Sequence, residues 1–159
     1  MTEPSRSDPM AKLAELGLGL PPAMAPIASY VPTVEHGGML YISGQISFAD
    51  GEVLTGRLGD DLDVDAARKA AEACGLALLA QMQAALGSLD RVERIVKLGG
   101  FVTSTPDATD QPAVINGASD LMVAVFGDAG KHARAAVGVP ALPRGAAVEV
   151  DAIVAVRGA

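Results

Sequence analysis

Two long apolar stripes of helical period, each set between segments of strand character, constrain this chain more than any other feature. Beyond Asp63, residues Val64, Ala67, Ala71, Cys74, Leu78, Met82 and Ala85 recur every three or four positions, opposite Asp65, Arg68, Lys69 and Glu72. Asp63 suits an N-cap and Asp65 the positive end of the helix dipole, while Gly87 supplies a C-terminal stop. Arg91 to Thr103 is rich in β-branched residues and reads as a long strand. Asp110, with Pro112 in the first turn, opens a second helix running to about Phe126 before Gly127, with Val114, Ala118, Leu121 and Val125 as its stripe. Two strands close the chain, Ala133 to Val139 and Ala146 to Arg157. In the last one Val148, Val150, Ala152, Val154 and Val156 share one face, and Glu149, Asp151 and Ile153 the other.

Upstream, residues 1–9 are polar and expected to fray. Pro9 to Leu18 reads as a short helix, with Met10, Leu13 and Leu16 or Gly17 at helical spacing, ended by Leu20-Pro21-Pro22. Residues 23–29 form a linker. Val31 to His36 and Met39 to Ile46 are strands around the turn signal Gly37-Gly38. In the second, Leu40, Ile42, Gly44 and Ile46 fall on one face and Tyr41, Ser43 and Gln45 on the other. Asp50-Gly51 marks another turn before a short third strand, Glu52 to Thr55. The order is β-β-β-α-β-α-β-β after a short N-terminal helix. Strand, crossover helix, strand implies parallel pairing, and the hairpins are antiparallel. The expected fold is α+β: a mixed sheet with both main helices on one face, in a single domain over 30–159 preceded by an extension over 1–29. The other sheet face stays uncovered, which predicts oligomerisation.

The 159 residues suit one domain, and a chain half hydrophobic with 19% charged residues is no disordered segment. No run of roughly 18 apolar residues offers a membrane span. Net charge is −7 and the twelve Lys and Arg are scattered, so nucleic acid is a disfavoured partner. The single cysteine, Cys74, excludes an intramolecular disulfide and a cysteine metal cluster, and its place in the helix stripe reads as a buried, inert thiol. Met1 to Arg6 carries no apolar leader, so a cytoplasmic location is expected.

Few residues suggest chemistry. Gly127-Asp128-Ala129-Gly130-Lys131 superficially resembles a phosphate loop. Its glycine spacing is wrong, His132 stands where Ser or Thr would coordinate magnesium, and it follows a helix rather than opening one. His36 and His132 are far apart and offer no metal-ligand pair, so no metal is expected. No G-x-S-x-G elbow is present. Arg134 remains, in the small-residue run Ala133-Arg134-Ala135-Ala136, where a guanidinium fork is free to meet a planar anion. So does Glu149, an acid among Val and Ala that could hold or activate a water. On spacing alone, an exposed Arg134 and a solvated or salt-bridged Glu149 is the stronger alternative.

Read together, these residues resemble the Rid/YjgF family of reactive-intermediate deaminases, also labelled L-PSP endoribonucleases. Tyr41-Ile42-Ser43-Gly44-Gln45-Ile46 resembles the family's strand ending in Ser-Gly-Gln. Arg94-Ile95-Val96-Lys97 with Phe101-Val102 matches its long strand, and Val114-Ile115-Asn116 its second helix. Ala133-Arg134-Ala135-Ala136-Val137, Leu142-Pro143 and Val148-Glu149-Val150 match its most specific part. The resemblance covers Tyr30 to Arg157. It implies a chorismate-mutase-like fold and a homotrimer with clefts between subunits. It implies hydrolysis of 2-imino or 2-enamino acids to 2-oxo acids and ammonia, without a cofactor. By the same resemblance Arg134 pairs the substrate carboxylate and Glu149 positions the water. Tyr30, Ser43, Gly44, Asn116 and Ala135 match other pocket positions. His132 replaces the family's common Pro and adds a titrating group; Ala136 replaces a cysteine, the N-terminus is longer, and the Thr55 to Asp61 loop differs. A non-catalytic trimer binding small carboxylates is the alternative. An endoribonuclease fits less well, given the pI of 4.7 and the absence of a basic stripe.

Overall fold

The computed structural model describes residues 7–158; the polar start at residues 1–6 lies outside them. Helix α1 spans Pro9–Glu15, capped by the Asp8 carboxylate, which accepts from the Met10 and Ala11 amides at 3.0 and 3.4 Å. It stops short of Leu18 because Gly17 turns left-handed, at φ 70°, and the Gly17 and Leu18 amides fold back onto Ala14 and Leu13. Leu13 is buried in the same core as the rest of the chain.

Strands β1 (Thr33–His36) and β2 (Met39–Ile46) form the expected hairpin around Gly37-Gly38. The third strand joins no main sheet: β3 (Phe48–Ala49) and β4 (Glu52–Val53) make a separate hairpin. Helix α2 (Val64–Leu86) is capped by Asp63, which accepts from the Ala66 amide at 2.8 Å, and ends at Gly87. Ala85 lies outside its stripe; Leu86 takes the inward place. Strand β5 (Val92–Thr103) leads into α3 (Gln111–Phe126), then β6 (Ala133–Val139) and β7 (Val148–Val156). Pro112 fits the first turn of α3, but Asp110 makes no side-chain cap bond there.

The main sheet runs β1-β2-β7-β5-β6, with β5 and β6 parallel across α3 and every other pair antiparallel. Since β7 opposes both β2 and β5, those two strands are also parallel across α2. Helices α2 and α3 cover one face through Leu78, Met82, Ile115 and Met122 against Ile95, Leu98 and Val148 of the sheet, forming a mixed α+β fold. The other face is open: Tyr41 and Val137 stand nearly half exposed on it.

One feature of β2 differs from simple alternation. Ile42 pairs with Ala152 and Gln45 with Val150, so three steps on β2 answer two on β7. This bulge inverts the parity beyond it. Gln45, rather than Gly44, takes the buried place, and Gly44 and Ile46 turn to the open face.

Candidate active site

Arg134 sits on the edge strand β6 opposite Leu98 of β5, and like Leu98 it points to the helix side. There α3 presents three acceptors. Nη1 donates to Asn116 Oδ1 at 2.8 Å and to Ser119 Oγ at 3.1 Å, and Nη2 to the Pro112 carbonyl at 3.3 Å. Asn116 and Ser119 are three residues apart, hence neighbours on the helix surface. His132 completes the cluster, with Nδ1 2.6 Å from the Gly130 carbonyl and Nε2 2.9 Å from Ser119 Oγ. A carbonyl only accepts, so that contact assigns the neutral ring's proton to Nδ1. Nε2 then accepts from the Ser119 hydroxyl, whose oxygen accepts from Arg134. Of the five guanidinium N–H groups, Nε–H and one on Nη2 have no acceptor among the described residues. Two charged donors are thus left for an anion.

Glu149 stands elsewhere. It pairs with Ile46 on β2 and Phe101 on β5 and points to the open face. Glu149 and Arg134 are separated by three residues along β5 and two strand spacings, about 14 Å between backbones, on opposite faces. Glu149 lines a pocket of about 300 Å³ with Gly44, Tyr30, Met24, Ile27 and Phe48. A Cβ on Gly44 would lie 2.8 Å from the Glu149 carboxyl carbon, so only a glycine leaves that carboxyl its place. No group among the described residues hydrogen-bonds the carboxyl. Burial, then the charge of Asp151, raises its proton affinity above the usual carboxylate range. Asp151 is raised too, by burial, against the opposing Gly99 amide and Lys97.

The sequence candidates therefore fall into two groups. Arg134, Asn116 and His132 meet on the α3 side; Tyr30, Gly44 and Glu149 meet in the pocket. Ser43 is a fastener: its hydroxyl donates to the Val31 carbonyl at 2.8 Å and its amide to the Pro32 carbonyl at 2.9 Å. Ala135 faces the open side opposite Gly99, away from Arg134. Cys74 is buried, its thiol donating weakly to the Val148 carbonyl at 3.5 Å, and burial holds it far above the usual thiol range.

Sequence reasoning missed two residues. Ser119 links His132 to Arg134; its spacing from Asn116 was the available signal. Arg144 lines the same pocket as Glu149. It holds a left-handed backbone, φ 60°, and makes no hydrogen bond or ion pair among the described residues. The Leu142-Pro143 turn marks its neighbourhood but not the direction of its side chain. Among the described residues, no three His, Cys, Asp or Glu side chains could hold a metal ion, and no helix is long and apolar enough to cross a membrane.

A family model described as "YjgF/chorismate mutase-like, putative endoribonuclease" matches residues 10–154. The chain belongs to this YjgF family. Protein TCP17 of Trypanosoma cruzi is 55% identical over 146 residues, 91% of each chain. The crystal structure of a protein of unknown function from Agrobacterium tumefaciens is 47% identical, covers 94% of both chains and superposes with a TM-score of 0.87. RidA from the Antarctic bacterium Psychrobacter sp. is 32% identical over 84% of this chain and 94% of its own, with a TM-score of 0.58. The YjgF fold is thus shared with the shorter RidA, while the Agrobacterium protein follows this chain over nearly its whole length.

Proposed function

We propose that this YjgF-family protein hydrolyses 2-imino and 2-enamino acids to 2-oxo acids and ammonia, without a cofactor, in clefts between the subunits of a homotrimer. The observation that carries this reading is Glu149: half-buried, without a hydrogen-bond partner among the described residues, raised in proton affinity, and facing a metabolite-sized pocket. Water adds to C2 of the imine while Glu149 takes one of its protons and passes it to the nitrogen, giving the carbinolamine. The hydroxyl proton then travels by the same carboxyl to the nitrogen as the C–N bond breaks, leaving the ketone and ammonia. An enamine first gains a proton at its terminal carbon as its nitrogen loses one, which gives the imine. The two free donors of Arg134 suit the substrate carboxylate and would fix C2 relative to the water. Because Arg134 and Glu149 face opposite sides of one sheet, a cleft using both takes them from two copies. The acidic net charge of −7 disfavours an RNA substrate.

Arg144 supports a second reading, in which the carboxylate is held within one protomer, because it shares the pocket of Glu149. Oxo-acid release from imines made in situ by an amino-acid oxidase separates the two. We expect Arg134→Ala to lower kcat/KM about 100-fold or more and Arg144→Ala to change it little; the reverse result transfers the anchor to Arg144. Glu149→Gln should still bind 2-oxo acids yet lose turnover, since an amide takes no proton from water. A wild-type protein that releases no oxo acid faster than solvent, while binding 2-oxo acids, is instead a carboxylate-binding protein.

A further inference from the structure

We propose that the segment between α1 and β1 is a specificity wall, and that the Glu149 pocket selects 2-imino acids with branched or aromatic apolar side chains. This deepens the reading above and rests on it for the reacting group. Pro21, Pro22, Met24 and Ile27 line the pocket together with Phe48 and Ala77. Among the described residues, the only polar side chains in the lining are Tyr30, Gln45, Arg144 and Glu149. The Gln45 amide is already engaged, donating to the Ser43 carbonyl at 2.9 Å and accepting from Gln81 Nε2 at 3.4 Å. Most of the lining can therefore offer a ligand only apolar contact.

The wall has no helix or strand, yet it is tethered along its length. Buried Gln81 donates to the Met24 carbonyl at 2.8 Å, and Ser43 grips the Val31 and Pro32 carbonyls. Pro21, Pro22 and Pro26 fix their own φ angles. A segment so held keeps its shape before a ligand arrives, which lowers the ordering cost of binding. Its apolar side chains are nevertheless uncovered: Ile27 is 70% exposed and Met24 43%. A one-carbon side chain reaches little of this wall. Each further buried methylene is worth about fourfold in affinity, so three of them exceed tenfold comfortably.

The test uses the full-length protein and has two arms. Calorimetry compares 4-methyl-2-oxopentanoate and phenylpyruvate with pyruvate, on wild type, Met24→Ser and Ile27→Ser. Oxo-acid release compares the imines generated from leucine, phenylalanine and alanine. We expect the wild type to bind both larger oxo acids at least tenfold more tightly than pyruvate, and that ratio to fall toward one in both variants with unchanged circular dichroism. Equal affinities in the wild type, a ratio that neither substitution moves, or no binding of any of the three overturns the wall. Binding preference without accelerated hydrolysis sustains the wall and overturns the hydrolase reading. Accelerated hydrolysis without any size preference does the opposite.

Discussion

A carboxylate half-removed from water, with a second carboxylate two residues along the same strand, holds its proton longer than a solvated glutamate. Glu149 is in that position, and the consequence for stability has a definite sign. Its proton affinity is raised in the folded protein, so the folded state is favoured while the group stays protonated, and that advantage is lost as pH rises through the raised value. Glu149→Gln removes the ionisation. Thermal unfolding should find the variant more stable than wild type at pH 8 and indistinguishable from it near pH 4, below both the folded and unfolded values. A variant less stable at pH 8 would mean that the carboxylate is paired. Both Glu149 and Arg134 were legible in the sequence as lone charges among Val and Ala. Their separation was not, because a period-two pattern assigns a face relative to the residue's own strand and says nothing of which face another strand turns the same way. Ser119 and Arg144 were missed for a related reason: one is a small polar residue on a helix flank, marked only by its spacing from Asn116, and the other follows a turn whose exit direction depends on a left-handed φ.

At the level of elements, periodicity carried most of the fold. The stripe of α2 up to Met82, the stripe of α3, the caps at Asp63 and Gly87, and the alternation of β7 appear as read. What escaped were the two places where local geometry breaks a period. The β3–β4 hairpin leaves the main sheet, and the β2 bulge inserts one residue between Ile42 and Gln45. The bulge matters to function because it turns Gly44 toward Glu149. Gly44→Ala tests that. The atoms nearest its methyl would be those of the flexible end of the Glu149 side chain, so the fold should tolerate it with little change in Tm. The displaced carboxyl should cost turnover at least tenfold. An alanine variant with full activity would detach Gly44 from the site. One with collapsed stability would show that the bulge itself, rather than the acid beside it, requires glycine.

At the scale of the whole molecule, the open sheet face presents Tyr41, Val137 and Val34, each about half exposed among the described residues. In a chain so rich in apolar residues, a face of this kind suits burial against further copies. The split between Arg134 and Glu149 then has a genetic consequence. If each cleft takes its arginine from one subunit and its acid from the next, two inactive proteins carry complementary defects. Arg134→Ala chains keep a sound acid, and Glu149→Gln chains keep a sound arginine. Unfolded together and refolded as an equal mixture, they should assemble hybrids in which about a quarter of the clefts combine one intact half from each parent, a count set by random association alone. Activity should reappear from two dead preparations, and should not reappear when the folded homo-oligomers are merely mixed and assayed before subunits exchange. A refolded mixture as inactive as its parents would place both residues' work inside a single chain.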